Sequence, residues 1–237
     1  MILDRVRRDA EAYVAGGADA LIVENFGDVP FARGPVGPHV IAAMTRAAVA
    51  VRDVSGLPLG VNILRNDVVG AVAVATMAGG SFVRANVYVG VTVTDQGVIQ
   101  GDAEHVQAFI RRLGASVDIW ADIDVKHAAP LAPRPLSDLA EDATNRGLAA
   151  ATIVSGRATG HPASIDDLLA VRAGAPHAPT YVGSGATTES APALLAHADG
   201  LIVGTAAKID GIVTQAVDPT RVRAIVDAAS QVPRRPA

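Results

Sequence analysis

The chain has no cysteine. Disulfides, thiolate nucleophiles and cysteine-ligated zinc or iron–sulfur centres are therefore excluded. Aromatic side chains are scarce, at 3% of 237 positions, although 50% of the chain is hydrophobic. The apolar content is carried by Ala, Val, Leu and Ile with many glycines, the composition of strands buried on both faces and of closely packed helices. Positive charge is not in excess: the formal net charge is −4. The basic footprint of a nucleic-acid binder is missing, and no nucleic-acid partner is expected. No apolar run reaches the ~18 residues a membrane span needs. The opening Met1-Ile2-Leu3-Asp4-Arg5-Val6-Arg7-Arg8-Asp9 lacks the apolar middle of a signal peptide. A cytoplasmic protein without a membrane span is the expectation, long enough to bury a core of barrel size.

One pattern repeats through the chain. A helical stretch ends in Gly or Pro, and an apolar run follows that finishes in polar residues. The runs are Ala20–Asn25, Leu59–Leu64, Ser81–Val87, the stretch 116–125, Ala150–Gly156, Thr180–Gly185 and Gly200–Thr205. Helices are expected over 2–15, 38–54, 67–78, 102–113, 137–146, 164–173, 188–197 and 219–230. Pro38, Asp67, Ser137 and Ser164 or Thr188 are placed to start them. Strands alternating with helices build a parallel sheet. Seven strands and eight helices are one strand short of a TIM-type (β/α)8 barrel, and the absent element is the first strand. The expected organisation is a single α/β-barrel domain over 1–230 with a frayed tail, 231–237.

Polar residues gather at the C-terminal ends of the runs, where barrels and open α/β sheets place their chemistry. They include Glu24, Asn25, Asn62, Arg65, Asn66, Asp67, Arg84 and Asn86. The densest stretch is Asp118-Ile119-Trp120-Ala121-Asp122-Ile123-Asp124-Val125-Lys126-His127. If it is extended, Trp120, Asp122, Asp124 and Lys126 share one face. Charges on a covered face are costly unless paired with each other, a metal or a ligand. A structural ion pair is the plain alternative. Single residues have plain readings too: Asp67 as a helix cap, Glu24 as a partner for Arg84, Asn62 as filler of a polar barrel layer.

The motifs Val23-Glu24-Asn25-Phe26-Gly27-Asp28-Val29-Pro30-Phe31, Gly60-Val61-Asn62-Ile63-Leu64-Arg65-Asn66-Asp67 and Phe82-Val83-Arg84-Ala85-Asn86-Val87 resemble the BtpA family, which includes the SgcQ-like proteins. The resemblance continues through Thr94-Asp95-Gln96-Gly97, Ala121-Asp122-Ile123-Asp124-Val125-Lys126-His127-Ala128, Gly183-Ser184-Gly185 and Asp199-Gly200-Leu201-Ile202-Val203-Gly204-Thr205. It covers nearly the whole length. It implies a TIM-barrel-like fold related to phosphate-binding barrels and leaves the reaction open. It also implies a second role class, since the founding member is tied to photosystem I biogenesis. Family members usually begin with a strand carrying a His and a Leu-Pro-Gly-type turn, and that segment has no counterpart here. The expectation is a start site lying upstream, or a seven-stranded variant.

Two sets of site residues follow. Gly183, Ser184 and Gly185 end one strand and Gly204 and Thr205 the next, the two ends where phosphate-binding barrels grip a phosphate through backbone N–H groups. Lys208 or Thr205 can add a contact. Ser184 has no His–Asp partner nearby, so a hydrolase triad is not indicated. The reacting side is expected to use Asp122, Lys126, Glu24 and Asn62, with Arg84 orienting them and His127 as general acid or base. Lys126 between carboxylates reads as a charged partner rather than an amine nucleophile. His127 would point away from Lys126 on a persisting strand, so a structural role is equally open to it, and His105 and His161 read as surface residues. Glu24, Asp122 and Asp124 are a candidate Mg2+ set. The stretch 90–99 is either a lid bringing Asp95 and Gln96 to the site or an ordinary hairpin. The leading expectation is an isomerase, lyase or hydrolase acting on a small phosphorylated, sugar- or nucleotide-like ligand. The alternative is a non-catalytic assembly factor for a protein complex. Self-association into a homo-oligomer is the expectation for a barrel with exposed edges.

Overall fold

The computed structural model describes residues 2–125, 128–156 and 163–233. The strands in chain order are β1 (Leu21–Glu24), β2 (Leu59–Asn62), β3 (Phe82–Ala85), β4 (Val91–Thr94), β5 (Gly97–Gln100), β6 (Asp118–Ile123), β7 (Ala128–Pro130), β8 (Ala151–Val154), β9 (Thr180–Val182) and β10 (Gly200–Leu201). Seven of them form one curled parallel sheet in the order β1-β2-β3-β6-β8-β9-β10. The other three form a small antiparallel sheet in the order β5-β4-β7. The helices are α1 (Ile2–Gly16), α2 (Pro38–Ser55), α3 (Val68–Ala78), α4 (Ala103–Leu113), α5 (Leu136–Glu141), α6 (Ile165–Gly174), α7 (Ala191–Leu195) and α8 (Pro219–Ser230). The expected seven-stranded α/β barrel with eight helices is the fold of the chain. None of the described helices is long and apolar enough to cross a membrane.

Local chemistry places the helix ends. Pro38 opens α2, and the Asp67 and Asp102 carboxylates cap α3 and α4 by accepting from Gly70 N at 2.8 Å and His105 N at 3.2 Å. Gly56, Gly79 and Gly114 close α2, α3 and α4 in the left-handed conformation. Two expected starts are corrected. Ser137 lies inside the first turn of α5, which Pro135 precedes, and α7 begins only at Ala191, after Ser190. The second half of the expected helix 137–146 is a π-turn, Asp142–Arg146.

The strands bury both faces, as an all-parallel sheet under helices must. Outward side chains such as Val61, Val83, Ile119 and Ala121 pack beneath the helices. The inward side chains form two layers. The lower layer is aromatic: Phe82 stacks on Trp120 with centroids 3.9 Å apart, and Trp120 on Tyr181 at 4.3 Å. Gly60 and Gly200 make room for these rings, since a Cβ on either would lie 2.2 Å from the Phe82 ring or 2.7 Å from the Tyr181 ring. The upper layer, toward the strand C-termini, is polar.

The sheet stays open between β10 and β1, with no strand pairing across that gap among the described residues. Outside the gap, α1 packs against both α2 and α8. The outer ring of helices therefore passes over the place where the sheet is interrupted.

Candidate functional site

Period-2 alternation on neighbouring parallel strands brings Glu24, Asn62, Arg84, Asp122 and Ser155 to the upper layer. Arg84 spans it. Its Nε and Nη2 donate to the two carboxylate oxygens of Asp122, both at 3.0 Å, a bidentate pair. Its Nη1 reaches Glu24 Oε1 at 3.3 Å and its Nη2 also approaches Ser155 Oγ at 3.4 Å. Asn86 Nδ2 donates to Asp122 Oδ2 at 2.7 Å, and Ser155 Oγ to Asp122 Oδ1 at 3.5 Å. The side chains of Arg84 and Asp122 are 7% and 0% exposed. Burial opposes the charge on Arg84, but Asp122 and Glu24 outweigh it and hold the guanidinium above its ordinary pKa. A cation and a carboxylate this deep persist because they pair with each other and take further hydrogen bonds from the layer.

Asn62 lies in the same layer and is different. It stands beside Glu24 in the β1–β2 register and is 0% exposed, yet neither its Oδ1 nor its Nδ2 has a partner. Sequence reasoning named Glu24, Asn62, Arg84 and Asp122, and the fold brings these four together. It did not single out Ser155 or commit to Asn86 as part of the site. The signal for both was their place at the C-terminal ends of β8 and β3, the rule that found the others.

Several strand-end polar residues turn out to hold loops. Asn25 accepts from Leu64 N at 2.6 Å and donates to Leu64 O at 3.1 Å, joining the ends of β1 and β2. Asn66, at φ 75°, does the same for Val87, accepting from its N at 2.7 Å and donating to its O at 2.9 Å. An Asn carboxamide offers one donor and one acceptor edge, as a backbone peptide does. Asp67 caps α3 and also accepts from Val36 N at 2.9 Å, fixing the 26–37 loop.

The stretch around β6 needs correction. The strand ends at Ile123, and Asp124 turns away at φ 60° and is exposed, so it does not share the covered face with Asp122. Trp120 does face inward, but its ring is in the aromatic layer below the charges. Lys126, His127 and His161 lie outside the described residues. The proposed Mg2+ set does not assemble: no group of three His, Asp or Glu is arranged to hold a metal among the described residues. Glu24 and Asp122 share Arg84 instead.

At the glycine turn after β9, Gly183 sits against the polar layer. A Cβ there would be 2.5 Å from Ser155 Oγ and 3.1 Å from Arg84 Nη2. Gly185 adopts φ 73°, a conformation that favours glycine. Ser184 Oγ is buried and has no hydrogen-bond partner. The N–H groups of Ser184 and Gly185 make no backbone hydrogen bond among the described residues. Strand β10 is shorter than expected, so Gly204 and Thr205 lie beyond it, exposed, where Thr205 starts a short 3-10 turn. Lys208 is committed elsewhere, its Nζ 2.7 Å from Asp9 Oδ2 on α1.

Two segments meet Arg65 at the end of β2. Arg65 N donates to Ala32 O of the 26–37 loop at 3.1 Å, and Arg65 Nη1 approaches Asp95 Oδ1 of the β4–β5 hairpin at 3.5 Å. The stretch 90–99 is thus a hairpin, extended by β7 into a small sheet, whose tip reaches Arg65. A cavity of about 390 Å³ lies elsewhere, between the N-termini of α3 and α4, where Asp67 and Asp102 are occupied as helix caps.

A parallel α/β barrel carrying a buried polar layer at the C-terminal ends of its strands is the class the fold and site define. Solved structures with a similar fold include orotidine 5'-phosphate decarboxylase from Pyrococcus horikoshii (TM-score 0.63, 16% identity, covering 96% of this chain and 94% of that one). Thiamine phosphate pyrophosphorylase from Pyrococcus furiosus is another (TM-score 0.61, 13% identity, 95% and 89%). At those identities the likeness is one of fold. The family is shown by sequence: the BtpA family profile matches residues 1–231, and the chain belongs to that family. A curated relative, the photosystem I biogenesis protein BtpA of Synechocystis, is 40% identical over 230 residues, covering 97% of this chain and 80% of that protein.

Proposed function

We propose that this protein binds a small phosphorylated ligand, sugar- or nucleotide-like, at the C-terminal face of its strands and acts on it there as an isomerase, lyase or hydrolase. The observation that carries the reading is the turn Gly183-Ser184-Gly185, where Gly183 lies against Ser155 and Arg84 of the polar layer and where, among the described residues, the buried Ser184 hydroxyl and the Ser184 and Gly185 N–H groups have no partner. Such groups suit phosphate oxygens. The names of the two solved neighbours described above each include a phosphorylated compound, which supports the same reading. In it, Asp122 and Arg84 maintain the layer, Glu24 and Asn62 face the reacting part, and Lys126 and His127, which follow β6 in the sequence, supply charge or protons. Gly204 and Thr205 offer a second rim for the phosphate.

The test is thermal unfolding against sugar phosphates, nucleotides and divalent metals including Mg2+. A ligand present at 100 times its Kd adds about 2.7 kcal/mol to the folded state. A hit that disappears in Gly185→Asp, where a side chain and a negative charge enter the turn, is the expected result. A flat panel with a well-folded protein sinks the reading.

The second reading, an assembly factor, draws on the Synechocystis relative's name and on one surface. Val93, Val98 and Leu131 are 41%, 52% and 63% exposed on and beside the small antiparallel sheet. Exposed apolar residues grouped in this way suit a protein partner. Loss of co-purifying partners on Val98→Lys, with folding and ligand response unchanged, is the outcome that would favour it.

A further inference from the structure

Asp122, Arg84, Asn86 and Ser155 answer one another's hydrogen bonds and present little to a ligand. Two neighbours in the layer are not fully answered. Asn62 is fully buried with its donor and acceptor both without partners. Glu24 uses Oε1 for Arg84, while its Oε2 takes no hydrogen bond among the described residues. The two residues are register partners on adjacent parallel strands, so their side chains stand about 4.8 Å apart on one face. Leaving a carboxamide unanswered in a barrel interior is destabilising. An apolar residue of the same size would avoid that cost.

We propose that Glu24 and Asn62 read two vicinal hydroxyls of the ligand, making it a phosphorylated polyol or sugar rather than a phosphorylated heterocycle; this deepens the phosphorylated-ligand reading and rests on it. A carboxylate only accepts, a carboxamide both accepts and donates, and a hydroxyl does both. One hydroxyl donates to Glu24 Oε2 and accepts from Asn62 Nδ2. The next donates to Asn62 Oδ1. That pairing gives Glu24 Oε2, Asn62 Nδ2 and Asn62 Oδ1 one partner each. The negative charge of Glu24 keeps the phosphate away from this end and directs it toward Ser184. Among the described residues the three stacked interior rings lie below this layer and already cover one another's faces, so they offer a planar base no open platform. Glu24 is the member of the pair that meets solvent, its side chain 26% exposed, and Asn62 lies buried beside it.

The experiment compares wild type with Asn62→Leu by thermal unfolding and titration calorimetry. The probes are pentose and hexose phosphates, their deoxy analogues lacking one of the vicinal hydroxyls, phenyl phosphate, nucleoside monophosphates and the free sugars. Wild type is expected to bind a sugar phosphate and to lose about tenfold in affinity for the deoxy analogue. Asn62→Leu, without ligand, is expected to melt about 2–4 °C higher, because a buried unanswered amide is gone. It should no longer distinguish the sugar phosphate from its deoxy analogue. Equal binding of phenyl phosphate and sugar phosphate by both proteins overturns the hydroxyl inference while leaving a phosphate ligand standing. Binding of free sugars alone overturns the phosphate reading and keeps the hydroxyl pair. A panel in which nothing binds overturns both. An Asn62→Leu protein less stable than wild type overturns the inference whatever the ligands do, because Asn62 would then be a structural residue.

Discussion

Asp122 accepts hydrogen bonds from three side chains, and Arg84 donates to three. Neither can lose its partner cheaply. Asp122→Asn leaves Arg84 buried with its charge facing a neutral amide, a loss expected to cost about 3–5 kcal/mol in urea unfolding. Replacing both residues by Met and Leu should recover most of that stability, since a buried ion pair is costly to halve but not to remove whole. A loss below about 1 kcal/mol for Asp122→Asn would mean the pair behaves like a surface one. A second residue gives a pH signature. Tyr13 on α1 donates to Val203 O at 3.0 Å, and burial, with the Asp9 and Glu24 carboxylates adding to it, pushes its phenol up to about 12. The folded pKa lies above the unfolded value near 10, so this stabilisation is complete below pH 10 and is lost as pH rises toward 12. Tyr13→Phe should therefore lower stability by about 1 kcal/mol at neutral pH and show a shallower alkaline decline than wild type. An unchanged decline would place the alkaline sensitivity in Tyr88 and Tyr181, whose phenols burial also raises. Glu24, Arg84 and Asp122 were legible in the sequence because charged residues at the ends of apolar runs have few explanations. Alternation gives the face of a residue but not its depth, which is why Trp120 looked like a neighbour of Asp122 and lies one layer below. Nor does alternation reveal a backbone that leaves the strand, as Asp124 does at φ 60°.

Helices were legible to within about two residues at most ends because their stop and start signals are local: Asp67, Pro38, Gly56, Gly79 and Gly114 act within one turn. The strands were overestimated at their C-terminal ends, where polar residues that read as strand are turn. The shortest elements, α7 and β10, are set by packing more than by local signals. Packing at one helix pair makes a sharp prediction. Gly174 ends α6 against α5, where an added Cβ would be 1.9 Å from Ser137 O. That contact is backbone, so it cannot be relieved by rotating a side chain. Gly174→Ala should force α6 off α5 and cost about 1–3 kcal/mol of stability without changing the ligand response. Wild-type stability in that variant would show that α5 and α6 slide freely. The small antiparallel sheet was legible only as a choice between lid and hairpin, because the pairing of β4 with β7 joins segments more than thirty residues apart.

The largest feature, a seven-stranded sheet interrupted between β10 and β1, follows from counting runs in the sequence, and it governs how stability is distributed across the molecule. The interior strands β2, β3 and β8 are buried along their whole length, whereas β1 and β10 are mostly half-buried. In a parallel strand alternate N–H groups point to opposite neighbours. Leu21 N donates to Pro58 O and Ile202 N to Val182 O, so the N–H groups of Ile22, Glu24, Leu201 and Val203 face the interruption. Amides without a ladder partner exchange through local opening rather than global unfolding. Hydrogen exchange should therefore be fastest in β1 and β10, intermediate in β2 and β9, and slowest in β3 and β6. If the edge amides are instead as protected as those of β3, something is paired with them in solution. Dilution then distinguishes the source: protection that falls with protein concentration identifies a second copy of the chain seated in the gap, which is the form the expected homo-oligomer would take.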